Sequence, residues 1–206
     1  MNKCLSGFAV FGLMIILVGC ESSEATDTHL RGRQVVNTTM GIQGFRFDIP
    51  AGYTMVDADE ADGPYREEIA YYLHHQELLA HGNGSTLLES LLFSDGKSAI
   101  VFSVVDQRMD LPFSKLSEFQ RYDILEGSLF RWRVSGNRDL LETDIGQVGG
   151  RSYAMAVRGV ANGFVELTYV ILGNVNETYF FVGATHQNEA ASMRSAMRSM
   201  ISTFRN

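Results

Sequence analysis

The chain has 206 residues, 45% hydrophobic and 20% charged, with a formal net charge of −7. This is enough for one domain with a sizeable core, and the acidic balance argues against nucleic acid and against an electrostatic hold on anionic lipid, because both need clustered positive charge. The two cysteines are Cys4 and Cys20, so residues 21–206 can form no internal disulfide and use no thiol nucleophile.

Met1-Asn2-Lys3 is a short positive start, and Phe8 to Val18 is an apolar run broken only by Gly12. A membrane-spanning helix needs about 20 apolar residues, so residues 1–19 read as a cleaved leader. The run closes on Leu17-Val18-Gly19-Cys20, which resembles the lipobox of bacterial lipoproteins. The resemblance implies that the Cys20 thiol takes diacylglycerol, that the leader is cut before it, and that the new amino group is acylated. An ordinary secretory leader prefers an Ala-x-Ala-like end, absent here. Several acyl chains make a stable membrane anchor where one is marginal. In Gram-negative lipoproteins an Asp after the cysteine favours inner-membrane retention, so Glu21 implies the outer membrane, facing the periplasm.

Residues 20–34 comprise the lipidated cysteine and a polar tether with almost no large apolar side chain. His29 lies in this tether without a second ligand nearby and reads as solvent-exposed. A single domain is expected over residues 35–206.

Its first strand pair joins Val35-Val36 to Phe45 through Ile49, with Phe45, Phe47 and Ile49 on one face. Pro50-Ala51-Gly52 stops it, and Tyr53 to Val56 is a further short strand. Asp57 to Gly63 is acidic enough to raise calcium. Counted from Asp57, however, the sixth position is Asp62 with Gly63 one place late, although Glu68 fits the twelfth; a solvated approach to a helix fits better. Pro64 to His81 reads as that helix, with Glu67 and Glu68 in its first turns and Gly82 as its stop. His74, Glu77 and His81, with His75 adjacent, form the one constellation able to hold a transition metal. The zincin pattern needs histidines four apart, and histidines also suit the negative end of a helix, so no metal is assigned.

Leu87 to Phe93 and Ala99 to Val105 form a hairpin across Ser94-Asp95-Gly96-Lys97. Ser94 and Lys97 match the Ser-x-x-Lys of penicillin-binding serine enzymes, but the sequence reads as a turn and no companion motif follows. Ser114 to Leu125 is expected to be helical, opened by Ser114, with Leu116, Phe119, Ile124 and Leu125 as core contacts. Phe130 to Val134 reads as a strand with Trp132 inward between Arg131 and Arg133, and Asp139 to Ile145 as another before Gly149-Gly150. Ser152 to Val160, Phe164 to Leu172 and Thr178 to Ala184 form an antiparallel meander, turning at Asn162-Gly163 and at residues 173–176. Apolar residues on both faces of these strands require cover on both faces. Part of it is a terminal helix over residues 188–204, with Ala190, Met193, Met197, Met200, Ile201 and Phe204 in one stripe that reads as core.

The segment Phe45-x-Phe47-x-Ile49-Pro50-x-Gly52-Tyr53, a central helix, a run of hairpin strands and a last helix ending in Ser202-Thr203-Phe204 together resemble the PsbP-like fold. This is an α/β/α sandwich also found in DcrB-type bacterial envelope lipoproteins, and the likeness covers most of residues 35–205. It implies an α+β fold, an antiparallel sheet with helices on both faces, and a noncatalytic binding or accessory role. It carries no functional residue across. The expected protein is therefore a lipid-anchored envelope protein with an envelope protein partner, no catalytic residue, no cofactor and no enzymatic activity. The alternatives are a metal-assisted hydrolase using His74, Glu77 and His81, and a small-ligand carrier with a pocket between sheet and helix.

Overall fold

The strongest alternations in the sequence come together as one seven-stranded antiparallel sheet. In this computed structural model the described residues are 34–40, 43–57, 86–107, 110–134 and 139–205, all within the unit Gln34–Asn206. Strands β1 (Gln34–Met40) and β2 (Gln43–Ile49) form a separate antiparallel pair. The large sheet contains β3 (Thr54–Val56), β4 (Thr86–Ser94), β5 (Ala99–Asp106), β6 (Leu140–Val148), β7 (Arg151–Gly159), β8 (Phe164–Leu172) and β9 (Glu177–His186). Its spatial order is β3-β4-β5-β9-β8-β7-β6. The three expected meander strands, β7, β8 and β9, are extended by β6 at the edge, and β9 closes onto β5, so the chain between β5 and β6 must cross from the middle of the sheet to its far edge.

That crossing carries helix α1 (Glu118–Val134). Its start is set by a capping box: Ser117 Oγ accepts the Gln120 N–H at 3.3 Å, and Gln120 Oε1 accepts the Ser117 N–H at 2.9 Å. Ser114, expected to open the helix, lies instead in a 3-10 turn over Phe113–Lys115. The expected strand at Phe130 to Val134 is also corrected, because those residues continue α1. A five-residue apolar-charged alternation fits either period, and a nucleated helix extends at little cost. Phe119, expected in the core, is 73% exposed, whereas Leu125 is buried and Leu116 and Ile124 are partly so.

The two faces of the sheet receive different covers. On one, β2 supplies Phe45, Phe47 and Ile49, and helix α2 (Ala190–Thr203) supplies Met193, Met197, Met200 and Ile201, with Phe204 following, all packed on residues such as Phe102, Met155, Leu167, Tyr169 and Phe181. The stripe read from the sequence is thus core, except that Ala190 is only half-buried. Phe102 sits 4.9 Å, centroid to centroid, from each of Phe45, Phe47 and Phe181. Each such ring removes enough apolar surface from water to contribute about 1.5–3 kcal/mol. Gly183 of β9 admits the methionines, since a Cβ there would lie 2.6 Å from Met193 Sδ. On the opposite face, α1 packs Leu125 over Ala154, Ala156, Val170 and Leu172. The two alanines present little side chain, so helix and sheet can approach closely. The architecture is therefore α+β: an antiparallel sheet with a helix on either face.

Candidate functional site

Where the first turns of α1 meet the β6–β7 turn and the C-terminal segment, they enclose a cleft of about 790 Å³. That volume lies within the range of small-molecule sites. Three arginines from three elements line it: Arg121, Arg151 and Arg205. Tyr122, Gln147, Ser152 and Asn174 add neutral polar groups, and the partly exposed Leu116 and Ile145 bring apolar surface. Among the described lining residues Glu118 is the one carboxylate, and there is no histidine or cysteine.

Each arginine is placed by a local structural cause. Arg121 is in the first turns of α1, whose register the Ser117–Gln120 box sets. Arg151 opens β7 directly after Gly149 and Gly150. Both glycines have positive φ, +57° and +78°, and Val148 pairs with Arg151 across them, the backbone of a two-residue hairpin turn of the primed kind. Gly149 has no room for a side chain, because a Cβ would lie 2.7 Å from the Ser202 Cα. The Arg151 guanidinium lies over the Phe204 ring, 5.1 Å from its centroid, a cation–π arrangement. Arg205 is held by its own backbone, which pairs with Arg46 of β2, and its Nη1 donates to the carbonyls of Ser202 (3.2 Å) and Phe204 (2.7 Å). These contacts cap the last turn of α2.

The electrostatics of the cleft follow from this convergence. Burial is the main cause holding the Arg151 guanidinium below its ordinary pKa; Tyr179 opposes the shift, and the like charges of Arg205 and Arg121 add to it. The guanidinium nevertheless stays cationic at neutral pH. Among the described residues the cleft thus presents three cations against one carboxylate, in a chain whose overall balance is acidic. Chemically it offers charge-assisted donors for an anion.

A second polar group joins α2 to the sheet. Arg194 makes a two-point ion pair with Glu142 of β6, at 2.8 and 2.6 Å, and its hydrogen bond lowers the Glu142 pKa. Tyr153 Oη donates to Asp144 Oδ2 at 2.7 Å and accepts from Arg198 Nη1 at 3.2 Å. Burial, then the bond to Asp144, raises the Tyr153 pKa, and burial pushes Tyr169 up to about 12. On the opposite face, Glu166 is paired with Arg158 and accepts from the Thr168 hydroxyl at 3.1 Å. These contacts fasten α2 to the sheet and pair the buried Glu166, while Tyr169 Oη and Asn176 Oδ1 are buried without a hydrogen-bond partner among the described residues.

Of the residues singled out in the sequence, Cys20 and the lipobox, His29, Asp62, Gly63, Glu68, His74, His75, Glu77 and His81 lie outside the described residues. Asp57 is exposed. Ser94 and Lys97 are in the expected turn: the Ser94 hydroxyl donates to the Ser98 carbonyl at 3.1 Å, and Asp95 Oδ1 accepts the Lys97 N–H at 2.8 Å. Among the described residues no three His, Cys, Asp or Glu side chains are grouped to hold a metal ion, and no helix is long and apolar enough to cross a membrane. The three arginines carried no sequence signal, because each belongs to a different element. The Gly149-Gly150 turn beside Arg151 was the one legible feature of the cleft.

The sequence matches no family profile and no curated protein. Several solved structures are similar. The solution structure of cyanobacterial PsbP (CyanoP) from Synechocystis sp. PCC 6803 is 13% identical, covers 83% of this chain and 91% of that one, and has a TM-score of 0.44. LpqN, involved in cell envelope biogenesis of Mycobacterium tuberculosis, is 8% identical, with 86% and 94% covered and a TM-score of 0.47. For a protein of Bacteroides thetaiotaomicron the identity is 11%, the TM-score 0.44, and the match covers 78% of this chain but 44% of that one. At these identities the likeness is one of fold and transfers no function.

Proposed function

We propose that this chain is a lipid-anchored cell-envelope protein of noncatalytic binding or accessory type, held to the membrane through acyl chains on Cys20 and working through the surface of its sheet domain. The observation that carries this reading is the segment Leu17-Val18-Gly19-Cys20 at the end of a short apolar leader. In a Gram-negative source, Glu21 points to the outer membrane and a periplasmic domain. Residues 21–33 have the polar composition of a tether, and an envelope protein partner is proposed for the domain.

The anchor is tested with Cys20→Ala. The variant is expected to take up no labelled palmitate and to leave the membrane fraction while its domain keeps the wild-type circular dichroism spectrum; palmitate still incorporated would overturn the assignment. The binding role is tested by crosslinking in cells, where a partner should be captured by the wild-type protein and lost on deletion of residues 35–206. Recovery of the protein alone counts against it.

The small-ligand carrier is favoured by one observation as a second reading: the cleft lies between a helix and the sheet and has the volume of a small-molecule site.

A further inference from the structure

We infer that the cleft between α1, the β6–β7 turn and the C-terminal segment is a binding site for a phosphomonoester group, with Arg121, Arg151 and Arg205 as its cationic donors. The inference rests on the carrier reading above and names the chemistry of its ligand.

Charge is the first argument. Among the described residues, three guanidinium groups share a lining with one carboxylate, Glu118, a formal excess of two positive charges over that set. Holding like charges together is unfavourable, and more so where burial removes water, as it does at Arg151. A phosphomonoester carries close to two negative charges at neutral pH, and so balances the excess where a single carboxylate leaves half of it.

Donor geometry is the second. A guanidinium presents a planar fork of donors matched to phosphate oxygens. The Arg205 Nη1 already serves the Ser202 and Phe204 carbonyls, but a guanidinium carries five N–H groups. Ser152 and Asn174 are placed on the same lining to supply neutral donors.

Size and rigidity are the third. About 790 Å³ exceeds the needs of a bare phosphate ion, so the group is carried on a larger organic body, for which the partly exposed Leu116 and Ile145 and the Tyr122 ring provide apolar contact. The site is also preformed: Arg151 is fixed by the two-glycine turn and the Phe204 ring, and Arg205 by its backbone pairing with Arg46. Little ordering cost then opposes binding.

A phosphomonoester can be a soluble metabolite or a lipid headgroup, and calorimetry separates the two. The full-length protein, purified in a neutral detergent, is titrated with glycerol 3-phosphate and with dihexanoyl phosphatidic acid, with glycerol and succinate as controls. Comparable binding of both phosphates indicates a soluble ester, and at least about tenfold tighter binding of the lipid indicates a headgroup; either supports the site. Arg121→Gln, at a partly exposed position in the first turns of α1, should weaken phosphate binding about tenfold or more with its melting curve unchanged, and Arg121→Lys should weaken it less, retaining the charge but not the fork. Arg151→Gln provides an independent second variant, with its melting curve checked for retained folding. Binding of glycerol or succinate as tight as that of the phosphates, absence of phosphate binding, or full affinity in both glutamine variants overturns the assignment. If succinate binds equally well, the carrier reading survives without its phosphate; if no small molecule binds while a crosslinked partner is found, carrier and phosphate fall together and the accessory role stands.

Discussion

Arg46 and Arg205 exchange two backbone hydrogen bonds, each N–H to carbonyl oxygen and each 2.8 Å long. A residue near the start of the domain thereby clips the segment that follows α2. A third bond adds to it: the Asp48 N–H donates to Thr203 Oγ1 at 3.0 Å. The clip seats Phe204 among Phe45, Phe47, Phe102, Tyr179 and Phe181 and brings Arg205 to the cleft.

Phe204 is fully buried, so Phe204→Ala is expected to cost about 3–5 kcal/mol of stability by urea denaturation, through lost transfer energy and the cavity left behind. Phe204→Leu should cost distinctly less. Equal, small losses in both would show that the C-terminal segment is not packed as described.

Gly149 and Gly150 separate two costs of adding a methyl group. Gly149→Ala must bear both a positive φ and a Cβ 2.7 Å from the Ser202 Cα, whereas Gly150→Ala meets nothing within 4 Å and bears the φ alone. Gly150→Ala is expected to cost about 1–2 kcal/mol, and Gly149→Ala more, because backbone against backbone cannot yield as a side-chain tip can. Thermal melts of the two variants give the order directly; the reverse order would contradict the contact with α2.

The Glu142–Arg194 pair predicts a small, acid-sensitive contribution. Glu142 is half-exposed, so solvent screening limits Glu142→Gln to a loss of below about 1 kcal/mol at neutral pH. Its folded pKa is depressed below 4.5, so the stabilisation is present above the unfolded value and fades as pH falls through the folded one. Denaturation midpoints of wild type and variant should therefore converge in acid.

Tyr169 predicts the opposite limb. Its folded pKa of about 12 stands above the ordinary 10.0, so the folded state holds the phenolic proton where the unfolded state releases it. Stability present below pH 10 is lost as pH rises towards 12. Tyr169→Phe should lose less over that interval, as read from alkaline unfolding curves; identical curves would place the phenol in water.

Periodicity and turn chemistry determined most of the fold from the sequence alone. The hairpin around Asp95-Gly96, the meander through β7, β8 and β9 and the Met193-Met197-Met200 stripe are each specified by residues close together in the chain, where side-chain period and backbone preference act locally. Such signals fail where two periods fit equally, as at Phe130 to Val134, and where an apolar residue fits a helix face that the fold leaves in water, as Phe119 does. The resemblance of Leu17-Val18-Gly19-Cys20 to a lipobox is likewise local, since it is read as a linear segment. The cleft was not legible. Arg121, Arg151 and Arg205 come from a helix, a strand and a C-terminal segment, and the side-chain pattern of one element does not say which residues of another will face it. Only the crossing of α1 over the sheet, the two-glycine turn against Ser202 and the clip between Arg46 and Arg205 place three like charges around one space.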